Sequence, residues 1–445
     1  MASTYLSRSV SSNGNRQKFT ISVWVKKSEI LSGTTQYIFT QGSDSNNNFA
    51  MYFDSTNTFG VWDYGSGYNG RLATNRIFRD VNAWYHIVVR VDTTLATAGD
   101  RMRLYVNGVQ ETSFSTSTNF SQNFNTHVNQ SGNAVHLGWY TTGSGYFNGL
   151  MSHVHLCDGY SYGPDSFGST DSTTGEWKIN TDPNVSYGTN GFWWLKDNAN
   201  TTDNSPNSNT FTVAAGTLTP TKDCPSNVFA TINVLGRQAA GYTIENGNLS
   251  TNGNSSNVWR GLYGTIGASS GKFYYEFKLN TTYSNSGNSI EVGVADAETM
   301  VQITSSNGRI SNAAIGYAYQ QNGEKRTNGS ASSYGNRINV GDIVGVAVDL
   351  DNSKLYFHRN GTYENSGDPT SGSTGTGAIS IASGYTYVPA FSSFYSADDI
   401  QLNFGNGYFG TTAVSSAGTN ASNIGTFEYN VPAGYTAFST KGLNE

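Results

Sequence analysis

The sequence predicts an all-β protein built from two antiparallel β-sandwiches joined by a linker, with a short β extension at the C-terminus. Three observations support this fold class. Of the 445 residues, 13% are aromatic, 28 are tyrosine and only 8 are proline, while 51 glycines are available for turns. No long stretch shows the 3.6-residue apolar period of a helix, so we expect almost no helix. Two complete sets of strand-like segments flank a stretch rich in Asn, Thr, Ser and Pro.

These features divide the chain into four parts. We expect the first sandwich within residues 1–197, the linker at 198–235, the second sandwich at 236–410 and a tail at 411–445. Each half is long enough to bury its own core. Within the tail, alternating apolar side chains predict a final strand, at Phe427, Tyr429 and Val431.

The first half contains a series of predicted strands. Residues 19–25 (FTISVWV) alternate apolar and polar side chains, which predicts a half-buried strand. Residues 84–91 (WYHIVVRV) form the strongest candidate, and residues 101–108 follow and end in Asn-Gly, a hairpin turn signal. The remaining candidates in this half are residues 37–40, 49–53, 134–138 and 148–156.

Four segments of this half resemble the laminin-G-like, concanavalin A-like family. They are FTISVWVK at 19–26, WYHIVVRVD at 84–92, RLYVNGV at 103–109 and FNGLMSHVHLCDG at 147–159. The resemblance covers about residues 5–195 and implies a jelly-roll sandwich. Such domains often hold a structural Ca²⁺ through loop carboxylates, for which Asp54, Asp63 and Asp158 are candidates; Asp is also a common turn residue. Beyond this calcium we expect no cofactor.

A hairpin at residues 341–361 organises the second half. Residues 343–348 (IVGVAV) are a nearly continuous apolar run, which predicts a strand buried on both faces. Residues 349–353 (DLDNS) are rich in residues that favour turns. In residues 354–358 (KLYFH), Leu355 and Phe357 alternate with polar or amphipathic side chains, and the turn at Asn360-Gly361 follows. We therefore expect this hairpin at the centre of a sandwich.

The hairpin sequence resembles the most recognisable segment of the SPRY domain. It reads GDIVGVAVDLDNSKLYFHRNG at residues 341–361. GKFYYEF at 271–277, EVGVA at 291–295, YVPAF at 387–391 and QLNFG at 401–405 match the same family in the same order. The resemblance covers roughly residues 236–410. It implies ligand contacts through loops at one end of the sandwich, near residues 322–334 and 363–377.

Charge and hydropathy exclude several partners. The net charge is −6, only 13% of residues are charged and no basic run occurs, which argues against nucleic acid and an anionic membrane surface. No segment reaches about 18 consecutive apolar residues, so we expect no membrane insertion. The first 19 residues lack the apolar core of a secretion signal.

Candidate catalytic residues are few. Hydrolases of the concanavalin-like fold carry closely spaced carboxylates on one strand, in an E-D--E pattern, and this triplet does not occur here. Glu276 and Glu291 lie on predicted strands, but the SPRY family does not use these positions for catalysis. We expect both to have structural roles and the protein not to be an enzyme.

A metal site is a weaker alternative. His153 and His155 fall on the same face of a predicted strand, with Cys157 as a third candidate ligand, and ordinary sheet packing is the favoured interpretation. Cys157 and Cys224 are the only cysteines in the sequence, so we expect no disulfide framework and two unpaired thiols.

Aromatic residues within polar, glycine-rich stretches are the main binding candidates. Residues 60–70 place Trp62, Tyr64 and Tyr68 among Gly, Asp and Asn, and residues 139–146 place Trp139 and Tyr146 in a similar setting. Flat rings offer apolar area at low entropic cost, and nearby amides bind hydroxyl groups. We predict binding loops here; rings folded back to cap the sandwich are the alternative.

Many proteins of marine tailed phages resemble the whole chain, including DCPSNVFATIN at 223–233 and the ending FEYNVPAGYTAFSTKGLNE at 427–445. This resemblance implies a virion-surface protein, most simply a fibre or tail-associated adhesin that binds a host-surface glycan or protein. Other virion proteins would be partners, within a homo-oligomer for which a trimer is favoured. The alternatives are a capsid-decorating protein, a glycan depolymerase and a cellular SPRY adaptor.

Overall fold

The structure is a computed structural model that describes residues 4–31, 33–196, 200–236, 242–254, 257–283, 287–299 and 308–445. The chain forms two compact units, Met1–Pro220 and Thr221–Glu445, each described here by itself. The described residues contain strands and short 3-10 turns but no α-helix, which confirms the all-β expectation. Within them, no helix is long and apolar enough to span a membrane.

Sixteen strands lie in the described part of the first unit. They are β1 (Tyr5–Ser9), β2 (Lys18–Lys27), β3 (Gln36–Asp44), β4 (Asn47–Phe53), β5 (Thr58–Gly65), β6 (Tyr68–Ile77), β7 (Trp84–Asp92), β8 (Met102–Val106), β9 (Val109–Gln110), β10 (Phe114–Thr118), β11 (Ala134–Leu137), β12 (Gly149–Asp158), β13 (Gly168–Thr170), β14 (Trp177–Ile179), β15 (Phe192–Trp194) and β16 (Thr212–Ala215). Short 3-10 turns occur at Ala98–Asp100 and Pro164–Ser166.

Two antiparallel sheets enclose the core of this unit. The eight-stranded sheet has the order β10-β6-β5-β4-β3-β11-β1-β16, and the six-stranded sheet has the order β15-β12-β2-β7-β8-β9. Side chains from both sheets, such as Met51 and Val61 from one and Ile21 and Val89 from the other, meet in a single cluster. All the strands predicted for this half are confirmed, because their apolar residues fill this cluster.

Strand β2 is buried at every position after Lys18, so the expectation of a half-buried strand is wrong. Its second face is covered by residues 159–190, whose apolar side chains form a separate cluster on the outside of the six-stranded sheet. Thr20 Oγ1 donates to the Tyr160 carbonyl at 3.0 Å. Trp24 stacks on His86 of β7, and His86 in turn stacks on Trp177 of the covering segment. The polar positions of β2 therefore contact a covering layer and not solvent.

Described residues 200–220 pack on the first unit and do not form an open linker. Strand β16 pairs with β1 and so extends the eight-stranded sheet. Phe211 is only 2% exposed, and the Asp203 carboxylate accepts the Trp193 N–H at 2.8 Å. Residues 198 and 199, where the linker was expected to begin, lie outside the described residues.

The second unit contains seventeen described strands. They are β17 (Tyr242–Glu245), β18 (Ser250–Asn254), β19 (Arg260–Tyr263), β20 (Lys272–Thr281), β21 (Ile290–Asp296), β22 (Gly316–Gln320), β23 (Glu324–Thr327), β24 (Ser330–Ser333), β25 (Ile343–Asp349), β26 (Lys354–Arg359), β27 (Thr362–Tyr363), β28 (Ile379–Ser380), β29 (Tyr387–Ser393), β30 (Asp399–Asn403), β31 (Tyr408–Phe409), β32 (Thr412–Ala413) and β33 (Thr436–Ala437). Short 3-10 turns occur at Val234–Gly236, Ala297–Thr299, Ile310–Asn312, Glu364–Ser366, Gly372–Thr374 and Gly442–Asn444.

The central hairpin of the second unit is confirmed. It consists of β25 and β26, which lie inside a nine-stranded sheet that runs β17-β18-β30-β20-β25-β26-β27, with β28 and β33 attached. The opposing six-stranded sheet runs β19-β29-β21-β22-β23-β24. Val346 and Val348 face the core between the sheets, whereas Ala347 and Tyr356 lie in a second cluster on the outer face. Strand β25 is thus buried on both faces, as its apolar run predicts.

The outer cluster exists because the end of the chain covers the sheet. Residues 416–437, which we call the C-terminal strap, bury Phe427 and Tyr435 against this face. The expected strand at residues 427–431 is wrong: the segment turns back on itself, with the Gly418 N–H bonded to the Phe427 carbonyl at 2.9 Å. Among the described residues, the strap pairs with β20 only near its end, in parallel, through β33.

We expect limited proteolysis of the full chain to cut first within residues 216–222, where the two units meet in sequence and most side chains are exposed or half-exposed. Mass spectrometry of the early digest should find two stable fragments that end near this segment. Early cuts within residues 200–215 would instead show that this stretch does not pack stably on the first unit.

Candidate functional site

The outer face of the eight-stranded sheet carries the aromatic residues that the sequence singles out. Residues directly opposite one another on neighbouring strands point to the same face. A continuous row of such residues crosses seven strands: Ser7, His136, Thr40, Ala50, Trp62, Arg71 and Thr118. Because Val61 next to Trp62 lies in the core, this row faces away from the core.

Trp62, Tyr64 and Tyr68 lie on strands, so the prediction that they belong to a loop is wrong. Trp62 and Tyr64 are on β5, Tyr68 begins β6, and a two-residue turn separates the strands. Val61 and Asp63, which alternate with the rings, are fully buried. The stretch therefore has the period-2 pattern of a half-buried hairpin, which its Gly, Asp and Asn content obscures.

The rings pack together around Trp62. Its Nε1 donates to Asn48 Oδ1 at 2.8 Å, and its ring centroid lies 4.4 Å from that of Tyr52 and 6.1 Å from that of Tyr68. Gly60 leaves room for Tyr52, since a Cβ there would lie 2.2 Å from the Tyr52 ring. We call the following set the aromatic face: Tyr37, Tyr52, Trp62, Tyr64, Tyr68, Arg71 and Tyr140.

Arg71 supplies the positive charge of the aromatic face. Its guanidinium carbon lies 4.4 Å from the Tyr68 ring centroid. No carboxylate pairs with Arg71 among the described residues. Burial raises the pKa of Tyr52 to about 12 against the opposing effect of Arg71, so this hydroxyl stays protonated at neutral pH. Sequence reasoning missed Arg71 because only its register opposite Trp62 places it here.

Trp139 and Tyr146 lie in the loop between β11 and β12, as predicted, but form a separate group. Trp139 stacks on Tyr5 at 4.4 Å and meets His136 edge-on at 4.8 Å, while the Tyr146 ring lies 6.2 Å from Tyr5. The Trp139 indole N–H is buried and has no partner among the described residues. These contacts favour a capping role for Trp139.

Two protein families match parts of the chain. The concanavalin A-like lectin/glucanases superfamily, in its laminin G form, matches residues 2–160, and the SPRY domain matches residues 272–407. The chain carries a concanavalin A-like domain and a SPRY domain. The first match includes every residue of the aromatic face, and the second includes the central hairpin. Both fold resemblances are thereby confirmed.

Individual proteins and solved structures also match parts of the chain. An 89-residue stretch is 32% identical to the E3 ubiquitin-protein ligase RKP of Arabidopsis thaliana and amounts to 20% of this chain and 6% of that protein. The SPRY domain of human HERC1 is 15% identical over 38% of this chain and 96% of its own, with a TM-score of 0.30. The heptameric SAP-like pentraxin of Limulus polyphemus is 18% identical over 36% of this chain and 72% of its own, with a TM-score of 0.26.

The three carboxylates considered as calcium ligands each hydrogen bond different partners within the concanavalin A-like domain. Asp54 accepts N–H groups within its own turn. Asp63 contacts His127 Nδ1 at 2.9 Å, and Asp158 accepts the Asn15 N–H at 2.7 Å. The described residues contain no group of three or more His, Cys, Asp or Glu side chains arranged to hold a metal ion.

The two histidines of β12 pack in the layer outside the six-stranded sheet. The rings of His153 and His155 are 6.5 Å apart, and His155 Nδ1 hydrogen bonds the Tyr187 hydroxyl at 3.0 Å. Burial holds the pKa of His155 well below its usual value, so the ring is neutral. Cys157 is buried and Cys224 is half-buried, and both thiols are free, as expected.

Two buried glutamates of the SPRY domain have structural contacts. The Glu276 carboxylate accepts the N–H groups of Glu428 and Tyr429 at 2.9 and 2.8 Å and so holds the C-terminal strap. Burial raises the pKa of Glu276 to about 7 despite these donors. Glu291 accepts a hydrogen bond from Arg309 Nε at 2.9 Å.

The two segments that the SPRY resemblance implies for ligand contact lie in different settings. Residues 322–334 contain β23 and β24, and β24 is an exposed edge strand. Residues 363–377 contain two 3-10 turns, and part of this segment forms one wall of a groove of about 590 Å³. The C-terminal strap forms the other wall.

Proposed function

We propose that this protein is a non-catalytic surface protein of a tailed-phage particle, a fibre or tail-associated adhesin that binds a host-surface glycan through its aromatic face. The phage assignment rests on the sequence resemblance of the whole chain. The binding assignment rests on one structural observation: an exposed tyrosine, a half-buried tryptophan and an arginine that pairs with no carboxylate of the described residues lie side by side on one sheet face.

The chemistry of this face suits a sugar. Tyr68 is 43% exposed, so its ring can stack against the apolar face of a pyranose. Arg71 presents several N–H donors, and its charge favours a sugar that bears a carboxylate or phosphate group. The hydroxyl group of the half-buried Tyr64 adds a hydrogen-bonding group for sugar hydroxyls. The strands hold all these side chains in place, which lowers the entropic cost of binding.

We expect Tyr68→Ala to weaken adsorption of the protein to host cells by about 1–2 kcal/mol, because a few exposed rings carry most of the energy of such sites. Folding should persist, since Tyr68 is exposed to 43% and lies at the start of β6. Binding of fluorescently labelled full-length protein to cells, followed as a function of concentration, measures the effect.

Tyr160→Ala is the matched control. Tyr160 is 41% exposed and belongs to the same domain, but it lies on the covering layer of the other sheet. Equal adsorption of both variants and the unmodified protein would reject the aromatic face as the binding site. Normal adsorption with defective incorporation into particles would favour the capsid-decorating alternative.

A further inference from the structure

The groove of the SPRY domain has two walls that come from distant parts of the chain. One wall is formed by residues 361–370, which follow the central hairpin, and the other by residues 416–418 and 428–432 of the C-terminal strap. The strap lies beyond residues 272–407, where the chain matches the SPRY family. The groove is therefore a feature that this chain adds to the SPRY sandwich.

His358 contacts residues of both walls of the groove. Its Nδ1 accepts the Gly361 N–H at 3.2 Å, which assigns the proton to Nε2, and Nε2 lies 2.7 Å from the Tyr274 hydroxyl. The rings of Tyr363 and Tyr429, one from each wall, meet the His358 ring edge-on at 5.3 and 5.2 Å. The groove is thus formed before any ligand arrives.

The wall formed by the C-terminal strap is also hydrogen bonded to Glu276 of β20. The Glu276 carboxylate accepts the main-chain N–H groups of Glu428 and Tyr429, and the Tyr274 hydroxyl donates to the same carboxylate at 3.1 Å. A chain of hydrogen bonds therefore runs from His358, which forms the floor of the groove, through Tyr274 to Glu276. It links the floor to the strap.

The charged side chains that line the groove are acidic. Asp368 on one wall and Glu428 on the other are acidic, and neither Lys nor Arg is among the residues that line it. Asp368 is exposed, with Oδ1 committed to the Thr370 N–H at 2.9 Å. Burial lowers the pKa of His358 to about 3, so the floor is neutral at physiological pH and does not repel a cation.

We infer that this groove binds an arginine side chain from an extended segment of a partner protein. A planar guanidinium can stack on Tyr363 or Tyr429 while its N–H groups face the carboxylates of Asp368 and Glu428. The Glu428 carboxylate also accepts hydrogen bonds from the N–H group, at 2.7 Å, and the hydroxyl of Ser415. The Tyr363 hydroxyl is buried without a partner among the described residues, which leaves a hydrogen-bonding group in the wall. The volume of about 590 Å³ accommodates an arginine with flanking peptide backbone.

Ligand-observed NMR with the full-length chain tests this inference. The probes are N-acetyl-arginine amide and its neutral isostere N-acetyl-citrulline amide. We expect saturation transfer to the arginine probe and binding of the citrulline probe at least about tenfold weaker, because the charge-assisted hydrogen bonds are lost. Asp368→Asn and Glu428→Gln should each weaken arginine binding roughly 2–5-fold, as for partly exposed ion pairs.

Asp351→Asn is the matched control. Asp351 is also an exposed turn carboxylate of the SPRY domain, with Oδ1 bonded to the Gly271 N–H at 2.7 Å, but it does not line the groove. This variant should bind the arginine probe as the unmodified protein does. Equal binding of the two probes, a loss in Asp351→Asn equal to that in Asp368→Asn, or no transfer to either probe would overturn the inference. A neutral sugar that displaced the arginine probe without sensitivity to Asp368→Asn would assign the groove to a glycan instead.

Discussion

Val346→Asp is expected to unfold the SPRY domain and leave the concanavalin A-like domain folded. Val346 is fully buried in the central strand β25 and lies opposite Phe357 on β26. A carboxylate at this position has no hydrogen-bond donor to replace water. Its burial costs on the order of 5 kcal/mol or more, which is comparable with the whole stability of a typical domain, about 5–15 kcal/mol.

Limited proteolysis of the full-length variant measures this effect. Peptides from the SPRY domain should disappear early, while a fragment that ends near residue 220 persists. Thr362→Asp is the control, because Thr362 is exposed on the neighbouring strand β27. A Val346→Asp protein that is digested as slowly as this control would show that β25 is not central to the domain.

Glu276→Ala is expected to release the C-terminal strap from the nine-stranded sheet. The substitution removes the acceptor of the part-buried N–H groups of Glu428 and Tyr429. It also removes one of the two acceptors of the Asn403 amide, which keeps its hydrogen bond to the Thr426 carbonyl. The loss of these hydrogen bonds should destabilise the strap by roughly 3–5 kcal/mol. Hydrogen–deuterium exchange of peptides from the strap and from β20 measures the effect, and exchange in the concanavalin A-like domain should not change.

Glu324→Ala is the matched control for Glu276→Ala, because it removes a glutamate side chain from the same domain. Glu324 is half-exposed and pairs with Arg326 at 3.1 Å, so its loss should cost less than about 1 kcal/mol. If strap peptides exchange equally slowly in both variants, Glu276 does not hold the strap.

Much of the fold could be predicted because apolar periodicity depends directly on burial. The run at residues 343–348 predicts a strand buried on both faces, and Val346 and Ala347 indeed lie in clusters on opposite sides of β25. The same rule failed for β2, because a local pattern cannot reveal a covering segment that lies more than 130 residues later in the sequence. Thr20 looks solvent-facing in the sequence, yet it is fully buried.

The candidate site was only partly predictable. Trp62, Tyr64 and Tyr68 could be singled out as rings among polar residues, but composition alone made their hairpin resemble a loop. Arg71 and Tyr140 join them only through strand register and loop folding, which depend on tertiary structure. The strap was missed as well, since Phe427 and Tyr435 bury their rings on a sheet that is distant in sequence.

We propose that the aromatic face of the concanavalin A-like domain binds a host-surface glycan. Hydrogen–deuterium exchange of the full-length protein, with and without envelope polysaccharides purified from candidate host bacteria, tests it most directly. We expect a polysaccharide that binds to slow exchange in Thr58–Gly65 and Tyr68–Ile77. This protection should be smaller in Tyr68→Ala and unchanged in Tyr160→Ala. Protection confined to the SPRY domain, or equal protection in both variants, would contradict this proposal.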